Sequence, residues 1–222
     1  MGPFISVEAE HELSCGSQEK IYDKETQHLK ILRFDDLQEY YVSLALPWAV
    51  SGLKGSNGCN LAAGVQFLIE NLDYIDNSGN KFTDEEYIST FLLALGQCKV
   101  DAINDDQLLH TCLQTLRKFL HRDRLAPSRY SSITCAALVG ISTFATNNMR
   151  TTNSTSKGSN GMSEVSSLLE PMLDFYTSDE HFVTVRKCAY ILRANLEADS
   201  KVSATATATA TAAAAAGAAG GR

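Results

Sequence analysis

The chain has 222 residues, 44% of them hydrophobic and 20% charged, with only 4 prolines. That is ordinary globular usage, long enough for one domain plus tails around a real core, and it excludes a wholly disordered chain. A formal net charge of −7 excludes attraction of nucleic acid by the molecule as a whole, so any such contact has to be local.

The first residues, Met1-Gly-Pro-Phe-Ile-Ser-Val-Glu8, carry no basic n-region and no long apolar stretch, so a secretory signal is not expected. They fit the myristoylation pattern M-G-x-x-x-S by count, but nothing polybasic follows to supply a second membrane signal. Nowhere do roughly 18 apolar residues run together, so no bilayer span is expected. Residues 1–33 are weakly patterned, with Ile21 to Leu32 able to form a helix. A first well-patterned helix starts near Asp36, which with Glu39 makes a capping-box-like pair, and it carries Leu37, Tyr41, Leu44 and Trp48 as its apolar face. Pro47 should kink it, and Ser51-Gly52 with Gly55-Ser-Asn-Gly58 should stop it. Leu61, Val65, Leu68, Leu72 and Ile75 then define one face of a second helix.

Phe82-Thr-Asp-Glu-Glu-Tyr87 predicts a third start, with Thr83 as cap, Glu86 returning the hydrogen bond, and Phe82 and Tyr87 as hydrophobic staple. A fourth helix runs from about Asp105 through Leu109, Cys112, Leu113, Leu116 and Leu120, ending in a cationic turn that suits the helix dipole. After Pro127 a fifth places Tyr130, Ile133, Ala137, Ile141 and Phe144 on one side. The polar run 146–163 reads as a disordered insertion, and two further helices follow, around Val165 to Tyr176 with Pro171 as a kink and from about Phe182 to Leu196. From residue 199 the chain passes into an Ala/Thr/Gly tail with no large side chains to build a core. Residues 34–198 therefore read as one helical domain of an all-α fold, since short loops between one-faced helices force antiparallel packing, the logic of an α-solenoid.

The candidates for chemistry are weak. His11-Glu-Leu-Ser-Cys15 begins like a zinc-protease helix but has cysteine where the second histidine belongs, and two ligands without a third do not make a zinc site. Asp84, Glu85 and Glu86 read as cap chemistry. Asp76-Asn-Ser-Gly-Asn80 resembles part of a calcium loop, yet the twelfth residue is Tyr87 where a glutamate is required. The phosphate-loop, dinucleotide and nucleophile-elbow patterns are missing, so no cofactor, metal or small-molecule substrate is expected. Asn153-Ser-Thr is a sequon without a secretion signal to give it meaning. Six cysteines lie singly, with no C-x-x-C pair, which suits reduced thiols in a cytosolic or nuclear protein. One charge cluster stands out: Arg117, Lys118, His121, Arg122, Arg124 and Arg129, with Asp123 among them. A dipole match followed by a solvated loop accounts for it without a ligand; the alternative is that Arg122, Arg124 and Arg129 meet a phosphate backbone or an acidic partner.

Val185-Arg-Lys-Cys-Ala189, with Asp179 upstream, looks like the V-R-x-x-A pattern of HEAT repeats, which makes the expected fold a HEAT-like α-solenoid of antiparallel helical hairpins with a disordered tail. Further blocks agree with one another: Phe34-Asp-Asp-Leu-Gln-Glu-Tyr-Tyr41 with Pro47; Tyr74 through Tyr87 and on to Ala94-Leu95; Arg117-Lys-Phe-Leu120 with Leu125-Ala-Pro-Ser-Arg-Tyr130; and His181-Phe-Val-Thr-Val-Arg186. Together they resemble the C-terminal helical-repeat region of the TFIID subunit 2 family over about residues 34–198, with the polar insertion as a departure. The resemblance implies a nuclear, non-enzymatic scaffold of RNA polymerase II initiation that contacts other TFIID subunits, notably the histone-fold subunit 8, and core-promoter DNA in the full assembly. That family carries a large aminopeptidase-like region before its repeats, so the resemblance implies a fragment or a shortened gene product. The competing expectations are the C-terminal helical domain of an M1-type zinc aminopeptidase and a HEAT adaptor of another complex.

Overall fold

The computed structural model describes residues 36–75, 77, 82–101, 105–152, 169–195 and 197. They fall into two units, one within Met1–Ser167 and one within Leu168–Arg222. The described residues of the first form α1 (Leu37–Gly52), α2 (Ala62–Asp73), α3 (Glu85–Gln97), α4 (Asp106–Leu125) and α5 (Ser132–Thr152), with a 3-10 turn at Arg129–Ser131. Among the described residues there is no β-strand, only an isolated antiparallel bridge between Lys54 and Asn60. The expected all-α class holds.

α1 starts where its cap chemistry puts it, with the Asp36 carboxylate accepting from the Gln38 and Glu39 amides at 2.8 and 3.3 Å. Its buried face is not the expected one. Leu37 and Tyr41 are each 64% exposed and Trp48 is 44% exposed, while Pro47 and Ser51 are buried. Apolar side chains occur all around this helix, so periodicity alone does not select a face; contact with α2 and α3 does. The helix runs through Pro47 to Gly52, and the Ser51 hydroxyl donates to the Trp48 carbonyl at 2.9 Å.

Asn60 ties the following loop to two helix ends. Its amide nitrogen donates to the Ser51 and Leu53 carbonyls at 2.6 and 3.2 Å, and its Oδ1 accepts from the Lys99 amide beyond α3 at 2.7 Å. Gly58, at φ 73°, makes the loop's reversal in a conformation that an L side chain resists. α2 buries Val65, Leu68 and Leu72, as expected, and Ile69 as well, while Leu61 is an exposed cap residue and Ile75 lies beyond the helix.

α3 is the most enclosed helix of the unit, with Tyr87, Ile88, Phe91, Leu92, Ala94 and Leu95 all buried. Its expected cap is corrected. The helix begins at Glu85 with Asp84 as the flanking residue, no side-chain cap bond forms there, and Phe82 is exposed. Tyr87 packs on Phe91, with ring centroids 4.8 Å apart.

Cross-contacts fix the helix directions. Glu85 reaches the Arg129 amide, Gly96 meets Gly140, and Asn148 meets Val100. These pairs advance together along both chains, so α3 and α5 run parallel. Asp123 pairs with Thr134 and Leu116 with Gly140, an order that runs in opposite senses, so α4 and α5 form an antiparallel hairpin. Parallel alternate helices and antiparallel successive ones are the geometry of stacked helical hairpins.

α5 differs from expectation at both ends. Tyr130 lies before the helix and is exposed, whereas Ala137, Ile141 and Phe144 are buried as expected. The polar run is not disordered from Thr146: α5 continues to Thr152. The reason is that its polar side chains bond backbone groups. Asn148 is buried, accepting from the Val100 amide at 2.8 Å and donating to the Cys98 and Phe144 carbonyls, and the Thr146 hydroxyl donates to the Ser142 carbonyl at 3.0 Å. Residues 153–163, the segment 1–33 and the tail from 199 lie outside the described residues.

In the second unit, residues 169–176 and 183–195 are helical. Leu169, Leu173 and Tyr176 on the first, and Val185, Ala189 and Leu192 on the second, are buried at spacings of four and three. Val185 and Ala189 of the V-R-x-x-A pattern thus form its core side, while Arg186 pairs with Asp179. The His181 ring lies against Phe175 and Tyr176, at centroid distances of 4.7 and 4.9 Å.

A Cβ added at Gly96 would stand 2.5 Å from the Gly140 Cα and 2.7 Å from its carbonyl oxygen, a collision with backbone that no rotamer relieves. Gly96→Ala should therefore cost about 3 kcal/mol in urea unfolding. Gly52→Ala, with nothing within 4 Å, should be neutral or stabilising by a few tenths of a kcal/mol.

Candidate partner-contact surface

The hairpin corner between α4 and α5 carries most of the expected cationic residues. It is built around an acid. Asp123 lies in the last turns of α4 on the buried side, 3% exposed. Its Oδ1 accepts from the Ser128 amide at 2.7 Å, and its Oδ2 accepts from the Thr134 amide at 3.0 Å and the Thr134 hydroxyl at 2.5 Å. A buried carboxylate needs such donors to offset lost hydration. Here the donors come from the connecting loop and from the start of the next helix, so the same bonds hold the corner closed.

Glu85 supplies a second clamp, from α3. Its carboxylate accepts from the Arg129 amide at 2.8 Å and from the Ser132 hydroxyl at 3.2 Å. The Ile133 amide donates to the Ser128 hydroxyl at 3.2 Å. Between these clamps the backbone is strained, with Tyr130 at φ 58° and Ser131 at φ 54°, both non-glycine residues in the left-handed region. That conformation costs about 1 to 2 kcal/mol per residue. The Ser131 amide recovers a bond to the Ser128 carbonyl at 3.0 Å. The acids of the Asp84-Glu85-Glu86 group thus do more than favour a helix start, because Glu85 caps a different helix.

The corner displays Tyr130, 68% exposed, with the Arg129 guanidinium 5.1 Å from its ring centroid, a cation–π contact. Arg122 is exposed, 5.8 Å from the Phe119 ring centroid. It also lowers the Asp84 carboxyl, although burial dominates and leaves that group raised above the ordinary carboxylate range. Arg122 is thus electrostatically linked to Asp84, and the Arg129 backbone amide bonds the adjacent Glu85. Arg124 is exposed too, but two positions from Arg122 on a helix puts it on a different face. The expected trio is split between two directions.

Lys118 is paired with Asp73 at 2.7 Å, across from α2. Among the described residues no group of three or more His, Cys, Asp or Glu side chains could hold a metal ion. His11 and Cys15 lie outside the described residues, as does most of Asp76–Asn80; Asn77 donates to the Phe82 carbonyl at 2.9 Å. Cys98 and Cys112 are buried, and burial pushes the Cys98 thiol from an ordinary 9.0 up to about 12 and the Cys112 thiol up as well.

Asp123 was the residue that sequence reasoning passed over. Flanked by Arg122 and Arg124, it reads as one acid interrupting a basic run. The available signal was its place three and four residues beyond the core positions Leu120 and Phe119, on the buried stripe.

Successive antiparallel helices with parallel alternate ones define a helical-repeat protein. Residues 19–155 match the family described as TAF2-like, TPR repeats, a stretch that includes every described helix of the first unit. The chain belongs to this TAF2-like family. It is 33% identical over 69 residues to the Drosophila melanogaster protein "Transcription initiation factor TFIID subunit 2", covering 31% of this chain and 6% of that protein. It is 24% and 25% identical over 123 residues to the proteins of the same name from Gallus gallus and Danio rerio, covering 51% of this chain and 10% of each. The chain thus spans a tenth or less of the length of these relatives. The family description specifies TPR repeats where the V-R-x-x-A pattern suggested HEAT; both are stacks of helical hairpins.

Asp123→Ala should leave two amides and a hydroxyl without their acceptor and lower stability by about 4 kcal/mol in thermal or urea unfolding. Asp73→Ala, which removes a half-exposed ion pair with Lys118, should cost under about 1 kcal/mol. At pH 8 the raised thiols of Cys98 and Cys112 stay neutral, so iodoacetamide should leave both unmodified in the folded protein by peptide mass spectrometry. Because the folded pKa of Cys98 is raised, its contribution to stability is complete below pH 9.0 and should be lost as pH rises towards about 12.

Proposed function

We propose that this chain acts as a non-enzymatic scaffold segment in RNA polymerase II transcription initiation, as part of a nuclear TFIID assembly, working through protein–protein contacts. The observation that carries this reading is the family match over α1 to α5, together with relatives named as TFIID subunit 2. Stacked helical hairpins suit such work, because they expose long helix faces and helix-end corners on a rigid frame. The partners we assign are other TFIID subunits, notably the histone-fold subunit 8, with core-promoter DNA as a further contact in the full assembly.

Within this reading Arg122, Arg124 and Arg129 are the contact residues. Arginine offers a planar fork for carboxylates and phosphates, and Arg129 is braced by Tyr130 and by the clamped backbone beneath it. The net charge of −7 keeps any DNA contact confined to this corner.

The full chain, tagged and incubated with nuclear extract, should recover TFIID subunits, and recovery should fall several-fold for the variant with Arg122, Arg124 and Arg129 all changed to Ala. Recovery of no TFIID subunit by the unaltered chain would overturn the assignment. Undiminished recovery by the triple variant at every salt concentration would overturn the choice of residues alone.

A further inference from the structure

α1 is apolar on every side, and a helix of that kind is ordinarily enclosed all round. α2 and α3 pack against it on the side that buries Pro47 and Ser51. Leu37, Tyr41, Val42, Ala45, Trp48 and Ala49 are all exposed, and at about 3.6 residues per turn they lie within an arc of about 140°. Gln38 and Gly52 share that arc, and nothing stands within 4 Å of the place a Cβ at Gly52 would take. No charged residue lies on it; Glu39, the one charged residue of α1, belongs to the half-buried side. A chain that is 20% charged thus leaves a face of Leu, Tyr, Val and Trp in contact with water, and a continuous patch of that kind marks a contact site.

We propose that this face pairs with its own counterpart on a second copy of the chain, the two copies of α1 lying antiparallel across a two-fold axis at Ala45. The order of side chains about Ala45 carries the choice of occupant. Reversing the helix about that residue sets Tyr41 opposite the partner's Ala49, Gln38 opposite the partner's Gly52, and Val42 opposite the partner's Trp48. Large meets small in two of these pairs, and Ala45 meets itself where the helices cross, which lets them approach closely. Farther out, Leu37 meets the partner's Leu53, and exposed Asp36 comes towards the partner's exposed Lys54, a residue of opposite charge. A face shaped for an unrelated protein has no reason to complement its own reversal. Each copy carries a net charge of −7, yet with no charge on the arc no like charges are buried between them. Leu37, Tyr41, Val42, Trp48 and Leu53 expose roughly 600 Å² in each copy, so pairing removes about 1,200 Å² in all, the lower bound for a specific interface. Such a dimer dissociates on dilution. The proposal does not depend on which assembly the chain enters.

Trp48 is the single tryptophan of the chain, so its emission reports on this face directly. Sedimentation velocity of the full chain from about 1 to about 200 μM should show monomer passing into dimer, with Trp48 emission moving to the blue in step. Ala45→Arg puts two like charges on the axis, at an exposed helical position where arginine is well tolerated. It should stay monomeric throughout, with red emission at every concentration and a circular dichroism spectrum matching the unaltered chain; Ala45→Glu is a second variant with the same expectation. Tyr41→Ala should weaken pairing about ten-fold. Tyr190→Arg, at a residue 57% exposed in the second unit, should pair as the unaltered chain does. The proposal is overturned if the unaltered chain stays monomeric across the range, with blue emission when the chain covers the face itself and red emission when the face awaits another protein. It is equally overturned if both Ala45 variants still pair, or if Tyr190→Arg abolishes pairing. These results are independent of TFIID recovery from extract.

Discussion

Gly96 and Gly140 allow the backbones of α3 and α5 to touch, and the arrangement of the first unit depends on that contact. Helices usually stand 8 to 10 Å apart because side chains intervene. With a glycine on each side, the Gly140 backbone takes the space a Cβ of Gly96 would occupy, and Leu116 of α4 reaches the same point on α5. The two helices are then held parallel at a fixed depth. From that register follow the Glu85 clamp at one end and the Asn148 bonds to Cys98 and Val100 at the other. Buried Phe91, Leu92, Leu95, Leu116, Leu138 and Phe144 fill the space around the crossing.

Charge on α4 is sorted by the same geometry. A single acid on the inner stripe is enclosed by donors from the loop and the next helix, while arginines and histidines stay in water. The inner acid fixes the corner, and the corner carries a strained Tyr130 and Ser131 that only rigid neighbours on both sides can maintain. The outer cations split by direction, Lys118 and Arg122 to one side and Arg117 and Arg124 to another. A basic run that looks uniform in one dimension therefore divides between two helix faces.

Much of the fold was legible in one dimension. The Asp36 cap, the start of α4 near Asp105, Val65, Leu68 and Leu72 of α2, Cys112, Leu116 and Leu120 of α4, and Val185 and Ala189 lie where periodicity and cap chemistry put them. α1 was misread because its apolar residues surround the helix, leaving the choice of face to its neighbours. Thr83 was misread as a cap because a cap motif reports only local competence, and here Glu85 is engaged by Arg129 and Ser132, which are 44 and 47 residues distant. The polar run after Thr146 resembled a disordered stretch, yet Asn147 and Asn148 are bound to the end of α3.

The sequence by itself determined which segments coil, roughly where they begin, and that each must bury one side, because those properties depend on hydrogen bonds and side-chain spacing within a few residues. It also carried the residue blocks that mark the TAF2-like family. Only the tertiary structure decided which side of α1 is covered, that α3 and α5 meet through bare backbone, and that Asp123 points inward while its arginine neighbours point out. Such outcomes depend on atoms that are distant along the chain and within 3 Å in space, and no local pattern encodes them.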